Sequence, residues 1–245
     1  MAVRYSETHT AGGNATQRIR YRYLILLIVI LILSGIQHLQ AQRKADIGFF
    51  AGTSYYMGDI NTNRQFYQPA LAIGPLYRYN FNPRSSLRFT GIYHQLKGND
   101  LDFTDPYKVA RGASFSGSYI DLALMYEFNF LPYTTANRKL NYSLYIAGGP
   151  GYHIVMSSQN STGISPDNHF TIPFSLGFKF NAGKRLSAGI EWSPRKTYTD
   201  RIDGVENLTV DQQDHLVGNN DWYTFAGIFI TYKIFKYRED CPTYD

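Results

Sequence analysis

The chain has 245 residues with 24 Lys and Arg against 19 Asp and Glu, a formal net charge of +5, and one cysteine. A single cysteine excludes a disulfide scaffold within the chain. A mean hydropathy of −0.31 with only one long apolar run argues against a multi-pass helical membrane protein, and 16% aromatic residues argue against a disordered chain.

The first predicted element is a secretory signal peptide over residues 1–41. A basic stretch precedes the apolar run Leu24–Leu33, which as a helix reaches only about 15 Å, half of a hydrocarbon core. A basic region, a short apolar region and a small residue before the cut are typical of a signal peptide, so cleavage is expected after Ala41. An uncleaved signal anchor is the alternative. Without this segment 20 basic and 18 acidic residues remain, a net charge of +2, which removes the main support for a nucleic-acid partner.

Eight strands are predicted in the rest of the chain, because apolar and polar residues alternate along runs of about ten residues, the period at which strand side chains point to opposite faces. In chain order they are expected near 45–56, 71–81, 87–94, 120–130, 140–154, 170–180, 185–192 and 222–237. The clearest run places Ile120, Leu122 and Leu124 on one face, with Asp121 and Glu127 on the other. In the first and last strands the inward face stays unassigned.

The polar faces of these strands carry charges of both signs. They are Arg78, Arg88, Glu127, Lys179, Arg185 and Glu191. In a soluble sandwich this face would meet water, whereas in an outer-membrane barrel it fills the lumen and the apolar face meets lipid. Buried charges must be paired, and a small closed barrel brings such pairs together. Aromatic residues near the strand ends, such as Tyr79 and Trp192, match the interface girdles of membrane barrels.

The links between strands alternate in length. The short or medium ones are expected at 82–85, 131–139 and 181–184, and the long polar ones near 57–68, 97–117, 155–168 and 193–220. Short periplasmic turns and long outer loops are typical of outer-membrane barrels. The prediction is therefore an all-β, eight-stranded antiparallel outer-membrane barrel over 42–237, with a tail over 238–245 and both termini periplasmic. Eight strands leave an interior just wide enough for side chains, which favours a plugged scaffold over a pore.

Two histidines raise the possibility of lipid chemistry. His94 and His153 are candidate bases near the outer ends of strands, and Ser116, Ser157 and Ser158 lie near outer loops. A serine, a histidine and an acid in contact would make a hydrolase site. The alternative is that these are polar residues of the barrel rim.

The segment 98–107 holds three carboxylates, Asp100, Asp102 and Asp105. Such a set could bind Ca²⁺, which prefers oxygen ligands, although the spacing lacks the glycine and glutamate of an EF-hand; a solvated loop is the alternative. The sequence shows neither a glycine-rich phosphate loop nor a His/Cys cluster for zinc, and we expect no cofactor.

Cys241 lies beyond the last predicted strand. An unpaired thiol in the periplasm could form a disulfide with a partner chain. An incidental reduced cysteine is the alternative.

Several short sequence segments together resemble those of the PorG-like outer-membrane proteins of type IX secretion systems. They are Ile47–Gly52, Tyr56–Asn61, Tyr77–Arg84, Tyr119–Leu124, Glu127–Tyr133 and Gly148–Gly151. The resemblance implies an eight-stranded structural barrel without catalytic residues, associated with the periplasmic PorK lipoprotein and the PorN ring.

Topology and this resemblance together predict a partner-contact surface on the periplasmic side. Its expected residues are Asn82, Pro83, Arg84, Pro132, Tyr133, Arg138, Lys184 and Cys241. The function predicted is a structural, non-enzymatic anchor for a secretion machine, in contact with outer-membrane lipid. Two alternatives stay open: a lipid-modifying barrel enzyme that depends on His94 or His153, and a plain OmpA-like structural barrel.

Overall fold

A computed structural model describes residues 45–133, 141–163, 166–183, 185–199, 202–203 and 221–234. Its strands are β1 (Ala45–Met57), β2 (Ala70–Asn82), β3 (Ser85–Asn99), β4 (Ser114–Asn129), β5 (Tyr142–Gly148), β6 (Gly151–Asn160), β7 (His169–Asn181), β8 (Leu186–Thr197) and β9 (Trp222–Lys233). The predicted signal peptide over 1–41, the tail over 238–245, Arg138, Lys184 and Cys241 lie outside the described residues.

The strands close into a ring in which every pairing is antiparallel. β1 pairs with β2 and β9, β3 pairs with β4, and the remaining strands follow in order back to β9. β5 and β6 both lie between β4 and β7, so they are two halves of one barrel strand. The predicted eight-stranded antiparallel barrel is thereby confirmed.

The break between β5 and β6 has a local cause at Gly149 and Pro150. A Cβ atom on Gly149 would lie 2.1 Å from the carbonyl oxygen of Leu124, so a side chain at this position would force the two backbones apart. Pro150 has no N–H to donate to the ladder, yet its carbonyl still accepts from the Leu124 N–H at 3.0 Å. The strand therefore continues across the break in the same register, with Gly148 opposite Tyr126 and Gly151 opposite Ala123.

The two faces of the barrel wall differ in polarity in the way the alternation predicts. On β4, Asp121 and Glu127 are fully buried inside, whereas Leu124 and Tyr126 are 43% and 50% exposed on the outside. Large exposed apolar side chains occur on every strand: examples are Ile47, Leu71, Phe89, Leu144, Met156, Phe174, Ile190 and Ile228. A polar interior within an apolar exterior is the arrangement of a transmembrane barrel.

The two ends of the barrel carry different connections. One end, called here the turn end, has the tight links 83–84 and 182–185 and the link 130–141; the opposite loop end carries 58–69, 100–113, 161–168 and 198–221. The strands extend further toward the loop end than predicted, since Lys97 pairs with Ser116 and Asn99 with Ser114. Polar residues there complete the ladder hydrogen bonds without the apolar alternation that a membrane span requires.

The link between β3 and β4 is structured. It contains a 3-10 helix (Asp100–Asp102) and α1 (Pro106–Arg111). Asp105 caps α1, with its side chain accepting from the Tyr107 N–H at 2.9 Å, and Gly112 ends it with φ 61°, the left-handed conformation that glycine adopts without steric cost. Among the described residues no helix is long and apolar enough to cross a membrane.

Candidate functional site: the filled lumen and the two barrel ends

The lumen near the turn end is filled by an ion network centred on Glu127. The carboxylate accepts from Arg78 Nε at 3.1 Å, lies 3.6 Å from Arg88 Nη1, and is bonded by Lys179 Nζ. All four side chains are buried. Glu127 thus contacts three cations, which are supplied by β2, β3 and β7. These contacts offset the large desolvation cost that an unpaired buried carboxylate would carry.

A second carboxylate, Glu191 on β8, completes this network. Arg88 Nη1 and the Tyr145 O–H both donate to Glu191, and Arg88 Nη2 donates to Ser175 Oγ at 3.1 Å. Further toward the loop end, Asp121 accepts from Arg195 Nε at 3.4 Å and from the Tyr223 O–H at 2.6 Å. These bonds join strands on opposite sides of the ring, so the lumen is closed by packed charged and aromatic side chains.

Of the six charges predicted for the lumen, Arg78, Arg88, Glu127, Lys179 and Glu191 lie there and Arg185 does not. Arg185 is half-buried just before β8, and its Nη1 donates to the exposed Tyr232 hydroxyl at 3.0 Å. A long side chain at the strand end reaches around the rim, so the alternation argument is wrong for this residue. The sequence reading missed Arg195, because the predicted strand stopped near Trp192; the same alternation continued for three more residues would have found it.

The two candidate catalytic histidines meet inside the lumen near the loop end. The ring centroids of His94 and His153 are 5.2 Å apart, and His169 stacks on His153 at 4.8 Å. Both rings are fully buried and neither makes a hydrogen bond to a serine. Ser116 and Ser157 are exposed instead.

The predicted serine–histidine–acid set is therefore not assembled by these residues. The histidines pack among aromatic rings: Tyr223 stacks on His94 at 5.1 Å, and Tyr119 lies 4.7 Å from His153. In the part of the chain that the structure describes, no group of three or more His, Cys, Asp or Glu residues is arranged to hold a metal ion.

The candidate Ca²⁺ ligands do not converge, so the expected site is not formed. Asp100 accepts from Arg111 at 2.7 and 2.8 Å, and Asp105 caps α1. Asp102 accepts from the Tyr67 O–H at 2.8 Å, and burial, reinforced by this bond, raises the pKa of Tyr67 to about 12. Asp100 and Asp105 thus bond within the link between β3 and β4, whereas Asp102 bonds the link between β1 and β2.

The Arg111–Asp100 pair gives a testable prediction about the loop end. Asp100 is fully buried, and its hydrogen bonds raise the pKa of Arg111 further, so the Arg111 guanidinium stays charged. Arg111→Gln removes a bidentate, charge-assisted contact and should cost about 1–3 kcal/mol of local stability. We expect proteinase K to cleave within 100–113 about tenfold faster.

The control for this experiment is Lys97→Gln, an exposed residue of β3 near the same loop. Its cleavage rate should match that of the wild type, because no bond of a buried group is lost. Equal cleavage rates for both variants would show that the pair does not hold the loop.

The turn end presents some of the predicted partner-contact residues and buries another. Asn82, Pro83 and Arg84 are exposed, and Asn82 Oδ1 accepts from the N–H groups of Arg84 and Ser85, both at 2.8 Å. Pro132 is half-buried. The turn is therefore exposed and held in one conformation.

Tyr133 differs from the prediction because it closes the barrel mouth from inside. Its side chain is buried, its hydroxyl donates to Ser187 Oγ at 2.8 Å, and Lys179 Nζ lies 4.8 Å from its ring centroid. Its N–H donates to the Pro83 carbonyl at 2.9 Å. A partner cannot reach this ring, so Tyr133 is removed from the contact surface.

The family of the chain follows from a match over almost its whole length. The model of DUF6089, a domain of unknown function, matches residues 22–243. The chain belongs to the DUF6089 family. The match begins within the predicted signal peptide and covers every strand of the barrel. No curated protein matches this DUF6089 chain in a sequence comparison.

Three solved structures are similar to this DUF6089 barrel. Ail of Yersinia pestis, solved in complex with the heparin analogue sucrose octasulfate, has 12% identity and a TM-score of 0.43 over 77% of this chain and 97% of Ail. Neisserial surface protein A has 10% identity and a TM-score of 0.46, over 77% of this chain and 96% of that protein. OprG of Pseudomonas aeruginosa has 11% identity and a TM-score of 0.40, over 79% of this chain and 98% of OprG.

Proposed function

We propose that this DUF6089 protein is a structural outer-membrane barrel that anchors a periplasmic assembly of the type IX secretion system, of the PorK lipoprotein and PorN ring kind. The observation that carries the structural part of this proposal is the filled lumen. Glu127 and Glu191 tie strands from across the ring together through Arg78, Arg88 and Lys179. A barrel closed in this way is suited to act as a scaffold and not as a conduit.

The apolar exterior supports membrane residence, and the loop asymmetry supports one orientation. Short turns face the periplasm in outer-membrane barrels, so we place the turn end there. β1 begins and β9 ends at the same end, where the Ile234 N–H donates to the Ala45 carbonyl at 3.1 Å. The first and last described residues of the barrel, Ala45 and Ile234, therefore lie at the end that we place in the periplasm.

The exposed turn Asn82–Arg84 is the proposed core of the docking surface. Its conformation is set by the two hydrogen bonds to Asn82 and by Arg84 Nη1, which donates to the Phe130 carbonyl at 3.0 Å. A preordered surface loses little conformational freedom on binding. The family resemblance supports the identity of the partner, and Arg138, Lys184 and Cys241 extend the proposed surface.

The test is co-purification from outer membranes in mild detergent with a tagged chain at its native level. We expect the wild type to recover a periplasmic lipoprotein and its ring partner. Arg84→Glu reverses a charge in the centre of the proposed surface and should lower that recovery at least about tenfold, the loss that removal of an interface anchor causes.

The matched control is Arg64→Glu, which reverses an exposed charge at the loop end and should leave recovery unchanged. Heat-modifiable gel mobility reports whether each variant still forms the barrel. The proposal fails if the folded wild type recovers no such lipoprotein. The docking surface is wrong if Arg84→Glu, Arg138→Glu and Lys184→Glu combined leave recovery intact.

A further inference from the structure

The exterior of the barrel has a groove of about 500 Å³ at the loop end. Its floor is formed by outward-facing residues of β8 and β9, among them Trp192, Lys196 and Trp222. Its rim comes from the link between β1 and β2, through Asp59, Thr62 and Gln65. The groove thus lies outside the lumen and opens to the side of the barrel.

Both tryptophans of the chain line this groove, and one of them is held by a chain of hydrogen bonds. Trp192 Nε1 donates to the Tyr55 hydroxyl at 3.0 Å, and that hydroxyl donates to Gln65 Oε1 at 2.7 Å. The indole rings are still 43% and 36% exposed. Trp192 is therefore fixed in position, and both tryptophans keep part of their surface free to contact a ligand.

The rim of the groove is folded back over the barrel wall at an energetic cost. Tyr55 points outward on β1 yet is fully buried, because the rim covers it and the Phe66 ring lies 4.9 Å away. Phe66 and Gln68 have φ angles of 56° and 43°, the left-handed region that side chains other than glycine rarely adopt. Backbone strain of this kind persists where surrounding contacts demand it and is concentrated at binding sites.

The polar groups of the groove surround the aromatic floor. Lys196 pairs with Trp222 across the ladder, and its Nζ lies 5.5 Å from the centroid of that ring. Burial raises the pKa of the Asp59 carboxyl above its usual value. Together with Thr62 and Gln65, these groups supply hydrogen-bond donors, acceptors and one cation around two apolar faces.

We infer that the groove binds the saccharide headgroup of a membrane glycolipid. The C–H faces of a sugar ring bury apolar surface against the indoles, fixed polar side chains can bond its hydroxyls, and Lys196 favours an acidic substituent such as a phosphate. A groove that opens sideways where the exposed aromatic wall meets the loops faces the layer in which lipid headgroups lie. This inference rests on the membrane orientation proposed above and not on the secretion partner.

The experiment uses the full chain in nanodiscs, with purified lipopolysaccharide as the probe and native mass spectrometry as the readout. We expect lipopolysaccharide to bind the wild type. Trp222→Leu and Lys196→Ala should each weaken binding about tenfold, the effect expected when one anchoring contact is lost. Phe170→Leu is the control, since Phe170 is an equally outward aromatic residue, 66% exposed at the loop end of β7, and binding should be unchanged.

Two further probes distinguish the sources of the signal. Phospholipid without sugar should bind the wild type and the variants alike, and lipid-free oligosaccharide released from lipopolysaccharide should bind much more weakly than the intact lipid. Equal losses of lipopolysaccharide binding in all three variants would indicate that the lipid binds the exposed barrel wall in general and not this groove. That result would overturn the inference. Tight binding of the released oligosaccharide would overturn the assignment to a lipid. Recovery of the periplasmic partner by Trp222→Leu separates this outcome from a failure of the proposed function.

Discussion

Glu127→Ala should lower the free energy of unfolding by about 3–5 kcal/mol, the typical cost of removing one partner from a buried ion pair. The substitution leaves Arg78, Arg88 and Lys179 buried with Glu191 as the remaining carboxylate of their network. The measurement is urea unfolding of the folded barrel in lipid vesicles, followed by tryptophan fluorescence. A loss below about 1 kcal/mol would show that the network does not hold the strands together.

Two variants control this result. Arg185→Ala removes a charge at the exposed rim and should change the unfolding free energy by less than about 0.5 kcal/mol. Lys179→Met combined with Glu127→Ala removes one of the three cations that contact Glu127 and should recover part of the loss, because the two residues are in direct contact and such pairs are not additive. If the double variant lost the sum of the two single effects, the coupling would be absent.

Gly74→Ala should be the other strongly destabilising substitution, at about 3 kcal/mol or more. A Cβ atom on Gly74 would lie 2.0 Å from the carbonyl oxygen of Gly91 and 2.8 Å from the Ile92 Cα. Because both neighbours are backbone atoms, relief requires β2 and β3 to separate. The same urea titration measures the effect, and heat-modifiable mobility gives the folded fraction.

Gly91→Ala is the matched control on the facing strand. Its Cβ would point outward, with the nearest atom, Leu122 Cδ2, at an ordinary 3.4 Å. Replacing a strand glycine that has free space usually stabilises slightly, by about 0.5–1 kcal/mol. The close approach at Gly74 would be disproved if both alanine variants unfolded at the same urea concentration.

Because side chains fill the lumen, both binding sites proposed for this DUF6089 protein lie on its outer surfaces. The turn end presents Asn82–Arg84 in one fixed conformation, and the loop end presents a groove lined by Trp222 and by the hydrogen-bonded Trp192. The two surfaces lie at opposite ends of the barrel strands. They can therefore be altered separately, and the Arg84→Glu and Trp222→Leu variants test them independently.

The loop end shows where sequence reasoning was least able to predict structure. Asp100, Asp102 and Asp105 were treated as one set because they are near in sequence, yet they bond to Arg111, Tyr67 and the start of α1 respectively. Their partners come from two different loops. Local spacing contains no information on contacts that form only when the strands carrying those loops are brought together.

The alternation of polar and apolar residues by itself determined the strand number, the two faces of the wall and the placement of charges such as Glu127 and Lys179 in the interior. It could do so because the strand period of two is local to the backbone. Only the tertiary structure decided which charges meet across the lumen, that Arg185 turns to the rim, and that Tyr133 closes the mouth. These outcomes depend on ring closure and strand stagger, which set the distances between residues far apart in the chain.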